Sequence, residues 1–172
     1  MKFNIFSFCG NIISEQYCSD NSKESESVKG MNGNAELLNF VYQNSQMGVD
    51  TIRQLIGIAE EDTFKRHLEE QQREYEAIHS EAREKLNQNG FDEKGISAFE
   101  KVRTYLMINM QTLTDKSSSH ISEMLMVGSN MGIIDAIKNI KKYSDAEPDI
   151  IALMERLLRF EENNVQRLKE FL

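Results

Sequence analysis

Glu161 sits in the middle of an apolar stripe, with Leu157, Leu158, Val165 and Leu168 around it at helical spacing and Asn164 at the edge. A carboxylate in such a place must find a hydrogen-bond partner, take up a proton or bind a metal. Glu76-x-x-His79 is the second feature that could do chemistry, because that spacing puts a carboxylate and an imidazole on adjacent turns of one helix. Glu76, His79 and Glu161 therefore form the candidate metal-ligating set, with Gln71 and Gln72 as neighbouring polar groups. His120-x-x-Glu123 follows a run of serines and reads as a solvated pair. His67 comes straight after Lys65 and Arg66, falls opposite the inner stripe of its helix and reads as a surface residue. Cys9 and Cys18 are the only cysteines, and neither has a histidine nearby, so two reduced thiols are expected rather than a metal knuckle or a disulfide framework. With 3 histidines and no supporting motif, no Ser/His/Asp or Cys/His nucleophile set emerges, and no catalytic residue is assigned.

The elements that must position these side chains are helices. From Asn34 onward the apolar period is 3.6 throughout. Asn34 is a good N-cap for a first helix whose seam is Leu37, Val41, Ser45, Gly48, Ile52, Leu55 and Ala59. Asp62 can cap a second helix almost at once, which makes the two antiparallel neighbours. The second helix turns Phe64, Leu68, Gln71, Tyr75, Ile78, Ala82 and Leu86 inward and ends at Asn89-Gly90, with Phe91 folding back. Ser97-x-x-Glu100 is a capping box for a third stretch, with Phe99, Val102, Leu106, Met110 and Leu113 inward. After a break over Thr114 to Ser119, a fourth stretch runs from about Ser118 to Tyr143. Asp145 to Pro148 starts the last helix, with its seam at Ile150, Met154, Leu157, Leu158, Glu161, Val165, Leu168 and Leu172.

Composition narrows the function classes. At 172 residues, with 40% hydrophobic and 28% charged residues, the chain suits one ordered domain plus a tail. Residues 1–33 are expected to be a flexible N-terminal tail, since the stretch after Ser19 is too polar to pack, and residues 34–172 form the helical domain. A net charge of -8 argues against a nucleic-acid partner. No long apolar run offers a membrane span. Met1 to Ile13 is interrupted by Asn4, Ser7, Gly10 and Asn11 and leads to no cleavage site, so a cytoplasmic location is expected.

Two helical hairpins joined by a longer connection, the Glu-x-x-His of the second helix and the inward Glu161 resemble the ferritin-like superfamily, in particular its rubrerythrin-type and uncharacterised bacterial branches. The resemblance covers about Asn34 to Leu172. It implies an all-α, ferritin-like antiparallel four-helix bundle with an extra helix in the crossover between the hairpins. Members with a di-iron centre place a Glu on each of two helices and Glu-x-x-His on each of the other two. Carried onto this chain, that pattern is met by Glu76, His79 and Glu161, while Asn164 stands where the second histidine belongs. Asn44, Ser45, Met47 and Gly48 occupy the matching stretch of the first helix, and Gly128-Ser129-Asn130 that of the fourth. Two carboxylates are too few to hold two close cations. The expectation is a degenerate, remnant site held by Asn164, a glutamine of the second helix or a tyrosine, with no cofactor.

The stretch Met124 to Ile140 is apolar on more than one side, with Val127, Met131 and Ile134 away from Ile133, Ile137 and Ile140, and Gly128 and Gly132 permit a close approach. Such width points to self-association through this face. The function read from the sequence is a non-enzymatic bundle working through self-assembly or protein contact. The alternative is an iron-binding oxidoreductase or iron-handling protein with a non-standard site.

Overall fold

A computed structural model describes residues 26–93, 106 and 114–172. These residues form four long helices: α1 (Glu26–Ile56), α2 (Asp62–Gln88), α3 (Ser118–Lys142) and α4 (Pro148–Leu168), closed by a 3-10 turn at Lys169–Phe171. No strand occurs among the described residues. The expected crossover helix falls outside them, except that Leu106 is helical and buried. So do residues 1–25 of the expected tail. α1 starts at Glu26 and not at Asn34. Asn34 acts elsewhere as a cap: its side chain accepts from the Glu147 backbone N–H at 2.8 Å, at the start of α4, and donates to the Glu147 carboxylate at 3.0 Å.

Helix ends follow local chemistry. Gly90 takes φ 66 after α2, and the N–H groups of Gly90 and Phe91 return to the carbonyls of Asn87 and Leu86 at 3.1 and 2.9 Å. That is a Schellman closure, which the glycine makes possible. Glu61, not Asp62, is the N-cap residue of α2, and its side chain makes no cap bond. Its carboxylate accepts instead from Thr63 and, at 2.8 Å, from Ser118 at the start of α3. Ser117 caps α3 by accepting from the His120 N–H.

Cross-helix contacts fix the directions of the helices. Tyr42 of α1 reaches Glu93 just beyond α2, whereas Gly48, further along α1, faces Tyr75, so α1 and α2 run antiparallel. Gly33 meets Tyr143 and Asn44 meets Gly132, which makes α1 and α3 antiparallel as well. From α2 to α4 the pairs are Lys85 with Asp149, Arg156 with Glu81 and Glu74, and Arg167 with Glu70, again antiparallel. The order is therefore up, down, down, up, with the long connection 89–117 between the two middle helices. These ion pairs are too exposed to contribute much stability, on the order of 0–1 kcal/mol each, but they fix register.

α1 packs against α2, α3 and α4, and is consequently buried well beyond a single stripe. Leu37, Leu38, Val41, Ile52 and Leu55 are all buried, and so are Asn39, Asn44, Ser45 and Thr51. The expected inner face of α2 is buried at all seven positions, and α4 buries Ile150, Met154, Leu157, Glu161, Val165 and Leu168 as expected. Leu172 departs from the seam and is exposed. No helix of the described residues is long and apolar enough to cross a membrane.

Candidate functional site

Glu161 is 4% exposed, at the level where α1, α2, α3 and α4 all converge. The Tyr75 hydroxyl donates to Glu161 Oε1 at 2.7 Å. Tyr75 can reach that far into the centre because Gly48 of α1 offers no side chain. A Cβ there would lie 2.6 Å from the tyrosine ring. Phe160 also packs on the ring, edge-on at 4.7 Å between centroids. Ser129 of α3 stands beside both Tyr75 and Glu161, and Asn164 beside Tyr75. Among the described residues, Glu161 Oε2 and Asn164 Nδ2 make no hydrogen bond within the protein.

Burial pushes the Glu161 carboxyl above its ordinary value, against the opposing effect of the Tyr75 and Ser129 hydroxyls. Tyr75 is pushed well up in turn, first by burial and then by the neighbouring carboxyl. Both shifts act in the direction of the protonated forms of the pair.

Glu76 and His79 are held elsewhere. One residue along a helix turns the side chain by about 100°, so with Tyr75 facing inward Glu76 emerges at the surface. There its carboxylate accepts from Gln72 at 2.7 Å and lies 3.9 Å from Arg53. His79 stacks on Tyr42 at 4.4 Å between centroids, and its Nδ1 donates to the Tyr42 carbonyl at 3.1 Å, with Ser45 Oγ at 3.4 Å. The three candidate ligands are thus not brought together, and no group of three or more His, Cys, Asp or Glu among the described residues could hold a metal ion. Asn164 stands in the buried layer. Asn44, Gly48 and Ser129 line a cavity there.

No protein-family model matches this chain, and neither does a curated protein or a solved structure.

His67 corrects the expectation of a surface residue, because it is 4% exposed. The 3-10 turn after α4 folds Phe171 over it, with rings 5.3 Å apart, and Phe64 packs against both, 6.5 Å from His67 and 4.9 Å from Phe171 between centroids. Its Nε2 meets the Gln71 amide nitrogen at 2.8 Å, while Nδ1 makes no hydrogen bond. Burial and the nearby Arg167 lower its proton affinity, with Glu70 and Glu170 acting the other way. His67, Gln71 and Tyr75 form a polar row at steps of four along α2. The sequence carried that signal as an i, i+4 series of hydrogen-bonding residues, but periodicity alone did not show that the turn after α4 would cover one end of it.

Proposed function

We propose that this protein is a ferritin-like antiparallel four-helix bundle, with an extra helix in its crossover, which acts through self-assembly or protein contact and not through a di-metal centre. The up, down, down, up order with one long connection supports the ferritin-like reading. The Tyr75–Glu161 hydrogen bond supports the loss of the di-metal centre, since a phenol donates where a cation would sit in a ligated site.

The observation that carries the contact function is the outer side of α3. Val127 is 40% exposed and Ile134 52%, two turns apart on one stripe with half-buried Met131 between them. The opposite side of the same helix, at Ile121, Met124, Leu125 and Ala136, is already buried. Apolar residues in line on the far side of a packed helix are suited to meeting a second copy of the chain. Sedimentation velocity over a concentration series tests this. Wild type is expected to associate, and Val127→Lys combined with Ile134→Lys to shift it to monomer. A wild type that is strictly monomeric and captures no partner would contradict the proposal.

One observation favours the iron-handling alternative, namely that Glu161 Oε2 lies unpartnered beside a cavity. A single buried carboxylate falls short of the charge that a pair of ions requires.

A further inference from the structure

The cavity beside Glu161 has a volume of about 30 Å³ and is walled by Asn44, Gln71, Tyr75, Ser129 and Glu161 together with apolar side chains such as Leu125. A cavity of ~10–15 Å³ on this measure already admits a water, provided that two to four polar partners surround it. Both conditions hold here. Glu161 Oε2, on a residue 4% exposed, is also one hydrogen bond short. Leaving such an atom unsatisfied is costly, and a bridging molecule relieves that cost.

We infer that this cavity is a binding site for a small neutral hydrogen-bonding molecule, water in the first instance, which bridges Glu161 Oε2 to the side chains of α1 and α2. Two features select a neutral occupant over a cation. The site holds one carboxyl, whose other oxygen already accepts from Tyr75. Its remaining polar walls are uncharged amides and hydroxyls, which serve a water as both donors and acceptors. The bound water donates one hydrogen to Glu161 Oε2 and the other to an amide oxygen of Asn44 or Gln71. The bond to Tyr75 is untouched. The inference is independent of the assembly role, since the site lies inside one chain.

Oxygen-17 relaxation dispersion of the full chain counts long-lived internal waters. Wild type is expected to show a dispersion whose amplitude falls by one or two waters in Ser129→Leu, where the larger side chain fills the space. Melting temperature in sodium, potassium and choline chloride at equal ionic strength is expected to be the same. Should Ser129→Leu fail to fold, Ser129→Val, which fills less of the space, carries the same comparison. Absence of any long-lived water, or sodium-specific stabilisation that Glu161→Gln removes, would each overturn the inference.

Discussion

A buried carboxyl with no Lys or Arg paired to it among the described residues depends on whichever neutral donor reaches it, and at Glu161 that donor is the Tyr75 phenol. Tyr75→Phe removes the donor and leaves a second carboxyl oxygen unsatisfied, so a loss of about 1–3 kcal/mol is expected in chemical denaturation. Glu161→Gln keeps an acceptor for Tyr75 and has no charge to neutralise. The proton affinity of Glu161 is raised on folding above its ordinary 4.5, so its contribution to stability is whole below that pH and is lost as pH rises through the folded-state value. Glu161→Gln is therefore expected to melt at or above wild type at pH 8, with the difference shrinking towards pH 4. His67 has the opposite sign. Its value is lowered from 6.5, so its contribution is present above that pH and is lost as pH falls through 6.5 towards the folded-state value. Thermal melts from pH 7 to 5 are expected to fall less steeply in His67→Phe than in wild type. These two residues also mark how far the sequence alone could be read. Glu161 announced itself because a charge interrupts an apolar stripe on its own helix. His67 did not, because Phe171, which covers it, lies about a hundred residues further on, in the turn after α4.

At the scale of elements, the seams of α2 and α4 were legible because each presents a single apolar stripe, and period alone assigns such a face. α1 was only half legible. Its burial extends to Asn39, Asn44 and Thr51 because three helices surround it, and polar residues hidden on several sides leave no periodic mark. Gly48 is the position where α1 and α2 depend on each other most closely. The ring of Tyr75 fills the space a side chain would need, and Cβ contacts of 2.6 Å to three ring atoms cannot be relieved by a small adjustment. Gly48→Ala is expected to destabilise by roughly 1–3 kcal/mol, as overpacking does. It should also displace the tyrosine, which near-ultraviolet circular dichroism detects alongside the melting curve. A melt and a tyrosine signal identical to wild type would show that the ring does not occupy that place.

For the whole molecule, the helical architecture of the described residues and the two hairpins followed from repeated period and from well-placed stops such as Gly90. The meeting of Glu76, His79 and Glu161 did not follow, since a three-residue spacing says which turns are adjacent but not which way the helix is rolled. With Tyr75 rolled inward, Glu76 is carried out to Arg53 and His79 across to Tyr42. The central polar layer thus holds Glu161 by the Tyr75 hydroxyl and not beside Glu76 and His79, and under the proposed function the outer side of α3 is the contact surface. Anaerobic Fe(II) titration of the full chain, followed by calorimetry, tests that claim most directly. The account predicts no stoichiometric binding, in wild type and in Glu161→Gln alike. Two ions bound per chain, and lost on replacing Glu161, would contradict it.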